Sequence, residues 1–290
     1  MAQREDFPFI HRLRVRWQEV DAQKVVFNGH YLSYLDVAMS EYWRAAGLPY
    51  PEGMSHHGGD MYARQHTLAY HAPAVLDDLL DIGVRCDHIG NSSMKLAWAV
   101  WSDHRLLVTG EVIYVHTSLA TRRPDPVPAS VRSQIQAQAE GRPVTQLRLG
   151  RWDELGTAAK AVREVVFIGE QNIPAHEEWD ADDAQALHAV VLNGAALALA
   201  TGRLITMGQP AGQARIGRMA VLRSMRGSGL GRQILQALVD AARAQDVRTV
   251  TLHAQTAARR FYESLGFTAE GAAFDEVDIP HILMRQDLRR

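Results

Sequence analysis

The stretch that most constrains this chain is Val221 to Gly231, VLRSMRGSGLG. A strand-like run ends there, Arg226 follows, and Gly227, Gly229 and Gly231 lead straight into an amphipathic helix. Glycine lets the backbone turn sharply and lets a ligand come close to it. The first N–H groups of a helix, with the positive end of its dipole, favour an anion at such a loop. A guanidinium at Arg226 suits a diphosphate, which it can grip through parallel hydrogen bonds.

The neighbouring residues exclude two other nucleotide loops. A Walker loop needs Gly-Lys-Ser/Thr, and Arg232-Gln233 does not supply it. A Rossmann fingerprint needs a third spaced glycine where Arg232 stands. It also needs an acidic residue at the end of the next strand, whereas Asp246 comes before that strand. Around the loop, hydrophobic periodicity predicts strands at Gln146 to Leu149, Leu187 to Leu192, Ala195 to Ile205 and Ala214 to Leu222. Asn193-Gly194 suits a tight hairpin between the second and third of these. Helices are expected at Asp153 to Ile168, Gly231 to Ala244 and Ala257 to Leu265, and further strands at Val247 to Ala254, Phe267 to Phe274 and His281 to Met284. Glu177 to Asp183 reads as an acidic loop, either simply solvated or attractive to a cationic amine.

The first half of the chain has a different rhythm. His11 to Trp17 alternates like a strand. Gly29 to Ala46 then reads as a helix apolar on most of its circumference, which implies burial, with Asn28 as N-cap and Gly47 just past its end. Strand-like runs follow at Gln65 to Ala72, Leu80 to His88, Ser93 to Ser102 and Leu106 to Thr117. One buried helix followed by an antiparallel meander implies a sheet wrapped around that helix. Pro124, Pro126 and Pro128 end the sheet, and a short polar helix is expected at Ser130 to Glu140. With 290 residues in all, the chain divides into domains at 1–140 and 141–290.

Composition narrows the setting. The chain is 47% hydrophobic and 22% charged, with formal net charge -2, so nothing calls for nucleic acid or a membrane surface as partner. Its single cysteine, Cys86, excludes an intrachain disulfide and a thiolate metal cluster, and reads as a small buried apolar residue. No metal is implied. The opening residues MAQREDF lack a signal-peptide core, so the cytoplasm is the expected location.

The segment RVRWQEVDAQKVVFNGHYLSYLDVAMSEYWRAAGL resembles the opening of the hotdog-fold acyl-CoA thioesterases of the 4-hydroxybenzoyl-CoA thioesterase and YbgC type. AYHAPAVLDD, IGNSS and VTGEVIYVHT follow in matching order, so the likeness covers most of residues 8–130. It implies a hotdog fold and hydrolysis of an acyl-CoA. It also implies a homo-oligomer, because hotdog domains commonly build their sites across subunit interfaces. In that family an Asp just before the buried helix attacks the thioester or activates water; by position this is Asp21. The helix N-terminus polarises the thioester carbonyl, and the matching backbone N–H is that of Asn28. Without the resemblance, Asp21 reads as a turn-forming residue that caps backbone. Lys24 departs from the pattern, standing where the family usually has Gly. His30 replaces a common small amide, and either donates to substrate or caps the helix. Arg122 and Arg123 are either solvated or in contact with a CoA phosphate.

The other half resembles the GCN5-related N-acetyltransferases, the GNAT superfamily. Arg226 to Gly231 matches its Arg/Gln-x-x-Gly-x-Gly/Ala motif, and AARRFYESLGF resembles its later motif. VREVVFIGEQNIP, ATGRL and IPHILM resemble its ElaA-like branch, so the likeness covers nearly all of residues 146–288. It implies an α/β domain with a mixed sheet that moves an acetyl group from acetyl-CoA to an amine. Backbone groups of Met219, Ala220 and Val221 would pair with the pantetheine arm and the acetyl carbonyl. Arg226, Gly227, Ser228, Gly229, Leu230, Gly231 and Arg232 would cradle the pyrophosphate, and Tyr262 would protonate the departing CoA thiolate. Gln255 stands where many members have an Asn that contacts CoA. The sequence does not single out the base that deprotonates the amine: Glu170, His188 and His253 each read as either a candidate or a structural residue.

Together the resemblances imply an α+β two-domain, bifunctional CoA-dependent enzyme. The alternative is an N-acetyltransferase whose hotdog domain is non-catalytic and serves oligomerisation or acyl-CoA sensing.

Overall fold

The structure, a computed structural model, describes residues 2–288. It divides into two compact units, one made of the residues up to Val144 with Asn193–Ala195, the other of Thr145–Leu192 and the residues from Ala196 onward. No helix among the described residues is long and apolar enough to cross a membrane.

The first unit runs β1 (Phe9–Arg14), α1 (His30–Ala45), α2 (Glu52–Ser55), β2 (Gly59–Tyr70), β3 (Leu79–Ile89), β4 (Ser93–Ser102), β5 (Arg105–Ser118) and α3 (Ala129–Ala139). Its sheet has the order β1-β3-β4-β5-β2 and is antiparallel throughout. On β4, Met94, Leu96, Trp98 and Val100 alternate into the core, the period-two signal of a strand with one face on a hydrophobic layer. They share that core with α1. Tyr31, Tyr34, Leu35, Ala38, Met39, Tyr42 and Trp43 recur at helical spacing and are all buried. The helix ends as expected at Gly47, at φ 69°, where Leu48 N–H bonds Trp43 C=O and Gly47 N–H bonds Arg44 C=O. Its start differs: the N-cap residue is Gly29, and no side chain caps the helix. Asn28 is therefore not the cap; the His30 N–H bonds Phe27 C=O and the Leu32 N–H bonds Gly29 C=O instead.

The second unit runs β6 (Thr145–Gly150), α4 (Trp152–Arg163), α5 (Ala175–Glu178), β7 (Leu187–Asn193), β8 (Ala198–Ile205), β9 (Gln213–Val221), α6 (Leu230–Ala244), β10 (Thr249–Gln255), α7 (Arg259–Glu263), β11 (Thr268–Glu276) and β12 (Ile279–Asp287). The sheet order is β11-β12-β10-β9-β8-β7-β6; β9 and β10 are parallel, so the sheet is mixed. Three expectations change. The helix expected to reach Ile168 ends as α-helix at Arg163 and widens into a π-helical segment, Glu164–Glu170. The tight Asn193-Gly194 hairpin is a longer loop before Ala198, with Ala196 at φ 61°. The helix expected at 257–265 is a 3-10 turn, Thr256–Ala258, followed by the short α7.

Helix α6 lies against β8 because Gly202 leaves room for it. A Cβ at Gly202 would stand 2.6 Å from the Met219 sulfur and 2.8 Å from a methyl carbon of Ile234. Gly202→Ala is expected to destabilise this unit by about 1–3 kcal/mol through overpacking, read as a lowered urea midpoint. An unchanged midpoint would show that α6 and Met219 can move aside freely.

Candidate active sites

In the first unit the loop before α1 is built around a buried carboxylate. Glu19 is 1% exposed. It accepts hydrogen bonds from the Arg16 N–H and Nε, both at 2.7 Å, and from the Tyr34 hydroxyl at 2.8 Å. Its own carbonyl accepts the Phe27 N–H at 2.9 Å, which ties the far end of the loop to the same anchor. Burial pushes the Glu19 carboxyl up, but the hydrogen bonds and charge of Arg16 outweigh it and hold the group below the usual carboxylate range.

Asp21 sits in the turn this anchor supports. Asp21 N–H bonds Val25 C=O, Lys24 N–H bonds Asp21 C=O, and Gln23 N–H donates to Asp21 Oδ1 at 2.7 Å. One carboxylate oxygen thus caps its own turn; the other has no hydrogen-bond partner among the described residues. Lys24 has φ 64°, the left-handed region that favours glycine, so its exposed side chain replaces a residue chosen for backbone shape. A cavity of about 300 Å³ opens beside the head of α1, lined by Val26, Asn28, Tyr31, Tyr70 and His71 among others. The Asn28 N–H has no partner among the described residues, and the Asn28 carbonyl accepts from the Tyr70 hydroxyl. Asp21 is not in the cavity wall. His30 packs edge-on against Phe27 and caps nothing. Arg122 donates to the Tyr62 hydroxyl. Burial raises the Cys86 thiol to about 11, which fits an unreactive packing residue.

In the second unit β9 and β10 pair only from Gln213/Thr249 to Arg215/Thr251 and then part. The parting coincides with a bulge. The β8–β9 register skips between Thr201↔Ala220 and Arg203↔Gly217, and Arg218 has φ 53°. Its guanidinium reaches the Glu177 and Glu178 carbonyls and the Glu178 and Asp180 carboxylates. Buried Arg163 and Arg203 complete the cluster by pairing with Glu178, Asp180 and Asp183. Glu178 and Asp183 are therefore buried and balanced by arginines rather than solvated, whereas Glu177 and Asp182 stay at the surface.

Two cavities lie where the strands part. The larger, about 510 Å³, is lined by Met219, Ala220, Val221, Arg226, Gly227 and Gly231 among others. The smaller, about 130 Å³, includes Arg218, His253 and Phe167. Gln171, Met219, Gln255, Ala258 and Tyr262 belong to both walls. Gly227 and Gly229 are at φ 85° and 89°, and a Cβ at either would meet nothing within 4 Å, so the loop backbone is open to a ligand. No side chain caps α6, and no acceptor among the described residues takes the N–H groups of Leu230, Gly231 and Arg232. The Leu230 side chain is core. This open, N–H-rich loop fits a diphosphate.

Three partners here escaped the sequence reading. Arg226 is held by Glu170 through two contacts of 2.6 and 2.7 Å. The Gln255 amide pairs reciprocally with Gln171. His253 Nδ1 lies 3.0 Å from Glu276 Oε2. Each joins residues far apart in the chain, and no local pattern announces them. Tyr262 is buried between Phe261 and Phe267, and burial pushes its hydroxyl up to about 12. Among the described residues no group of three or more His, Cys, Asp or Glu is arranged to hold a metal ion.

Residues 168–288 match the family described as Acetyltransferase (GNAT) domain, and residues 15–135 match the Thioesterase-like superfamily. The N-acetyltransferase YjcF of Bacillus subtilis, itself uncharacterized, is 36% identical over 127 residues, covering 43% of this chain and 88% of that protein. The chain is a fusion of a thioesterase-like hotdog domain with a GNAT domain. Protein ElaA of Escherichia coli is 29% identical to the GNAT domain over 131 residues, covering 44% of this chain and 84% of ElaA. A solved Thermus thermophilus thioesterase, complexed with coenzyme A and Zn, is 28% identical and covers 48% of this chain and 98% of its own, with a TM-score of 0.41.

In the hotdog domain the depressed Glu19 carboxyl makes stability pH-dependent. Its contribution is fully present above the unfolded carboxyl value of about 4.3 and is lost as pH falls through the lower folded value. Glu19→Gln is expected to lower stability at neutral pH and to flatten the acid limb. Urea midpoints across the acid range test this, and a limb of unchanged steepness rejects Glu19 as its source.

Proposed function

We propose that the hotdog domain hydrolyses acyl-CoA thioesters and that the GNAT domain transfers the acetyl group of acetyl-CoA to an amine. The observation that carries the transferase reading is Tyr262, whose side chain stands in the wall of both cavities at the parting of β9 and β10. One donor and one acceptor, entering from either cavity, would meet beside its hydroxyl.

In the transferase, the backbone of Met219, Ala220 and Val221 faces the parting without a β10 partner and is suited to hold the pantetheine arm and acetyl carbonyl. Gly227, Ser228 and Gly229, with the N–H groups of Leu230, Gly231 and Arg232, hold the diphosphate, and Arg226 adds its guanidinium from the Glu170 pair. Tyr262 keeps its proton throughout the neutral range and supplies it to the CoA sulfur as the C–S bond breaks. In the thioesterase, the unpartnered oxygen of Asp21 acts as nucleophile or base, and the free Asn28 N–H at the head of α1 stabilises the oxyanion. We take the chain to be a homo-oligomer, because β2 leaves a 12-residue sheet edge unpaired, with Tyr62 and Tyr70 exposed along it. A reducing, cytoplasmic setting fits the single cysteine.

A second reading has one observation in its favour. Asp21 caps its own turn and stands outside the cavity wall, as a structural residue would. In that reading the hotdog domain only oligomerises the transferase or senses acyl-CoA.

Thiol release from a panel of acyl-CoAs, with no amine present, separates the two. Asp21→Asn is expected to lower hydrolysis by about 10²-fold or more while folding is unchanged. No hydrolysis by the wild type leaves the hotdog domain as scaffold or sensor. Tyr262→Phe is expected to lower kcat for acetyl transfer with little change in KM for acetyl-CoA. Because its hydroxyl is raised to about 12, the wild-type rate is expected to show no alkaline loss from Tyr262 below roughly pH 11. An alkaline limb near the ordinary phenol value that vanishes in Tyr262→Phe would contradict this.

A further inference from the structure

An alkyl amine reaches a transferase as an ammonium ion, without a lone pair to attack a thioester. Some group must take its proton at the acceptor side of the cleft. Glu170 is committed to Arg226, whose hydrogen bonds and charge hold its carboxyl below the usual range and make it a poor base. His188 is buried, with Nε2 2.8 Å from the Asp183 carbonyl and its ring against Trp152, and it lines neither cavity.

His253 is placed differently. It lies on β10 just past the point where β9 leaves, and it lines the smaller cavity with Tyr262. Its side chain is 37% exposed, so solvent can receive a proton from it. β12 pairs with β10, and β11 with β12, which brings Glu276 to 3.0 Å from His253 Nδ1. Phe274 packs edge-on against the imidazole at 5.0 Å. A carboxylate on Nδ1 selects the tautomer whose proton is on that nitrogen and leaves Nε2 with a free lone pair.

We propose that His253, oriented by Glu276, is the general base for the acceptor amine. The inference rests on the transferase reading. Nε2 takes one proton from the ammonium ion and later releases it to solvent. The freed lone pair forms the N–C bond to the acetyl carbon, and the C–S bond breaks. The second nitrogen proton is matched by the proton that Tyr262 passes to sulfur, so the products are an N-acetylamine, CoA thiol and one proton. Glu276 touches neither substrate and is a positioning residue. The other titratable groups facing this site are Arg218 from the β9 bulge, Tyr262 from α7 and, stacked on Phe274, His281 from β12.

The test uses the full chain, acetyl-CoA and two kinds of probe amine. Tyramine and spermidine are protonated near neutral pH, whereas 4-methylaniline is not. His253→Gln is expected to lower kcat for the protonated probes by about 10²–10³-fold near neutral pH, with the Kd for acetyl-CoA unchanged by calorimetry. The deficit shrinks about tenfold per pH unit toward the pKa of the probe, and transfer to 4-methylaniline is spared. Glu276→Gln is expected to lower kcat for the protonated probes while sparing 4-methylaniline and the Kd for acetyl-CoA, because the ring tautomer is no longer fixed by a carboxylate. Wild-type rates in His253→Gln, or equal losses for both kinds of amine, overturn the base assignment and leave the transferase reading standing. No transfer by the wild type to any probe, with acetyl-CoA bound, overturns both.

Discussion

The pairing of β9 with β10 stops after Thr251, and the GNAT site depends on that interruption. It follows from Arg218, whose left-handed backbone bulges β9, exposes a stretch of strand edge and separates two cavities around Tyr262. A non-glycine residue pays about 1–2 kcal/mol for that conformation. Breaking a buried ion pair by removing one partner costs about 3–5 kcal/mol. Arg218 is tied to Glu178 and Asp180, which Arg163 and Arg203 also hold, so losing its side chain would leave these acids short of a cation. The acidic stretch thus acts as an internal foundation for the bulge in β9.

The hotdog site has a parallel logic on a smaller scale. Glu19 gathers Arg16 and Tyr34 at its carboxylate and the Phe27 N–H at its main-chain carbonyl, so both ends of the loop before α1 share one buried residue. Within that loop Lys24 takes a left-handed turn and Asp21 caps it. Lys24 there takes the left-handed backbone that favours glycine, and its side chain is exposed. The unpartnered Asn28 N–H follows from an N-terminus that ends on Gly29 without a side-chain cap.

Most elements were legible in the sequence because their signals are local. The stripe of α1, the alternation of β4 and the strand–glycine–helix order around Gly229 each lie within one contiguous window. The misses were of another kind. The helix after Trp152 carries an apolar face beyond Arg163, yet it widens to π geometry that brings Val166 and Phe167 to the two cavities. Asn193-Gly194 has the composition of a tight turn, but the β7–β8 register shifts near Leu192 and asks for a longer loop. Glu178 and Asp183 read as solvated because charge in sequence carries no record of the distant arginines that neutralise them.

The sequence alone established two units, most of the elements that build them, and the glycine loop that opens onto the N-terminus of α6. These follow from periodicity, glycine placement and motif order, which act over a few residues at a time. Only the tertiary structure decided which charges remain available. It paired Arg226 with Glu170 and Gln255 with Gln171, and it set His253 against Glu276 beside Tyr262. Those pairings join residues from 23 to 84 positions apart, and a side chain's chemistry depends on the neighbour the fold supplies.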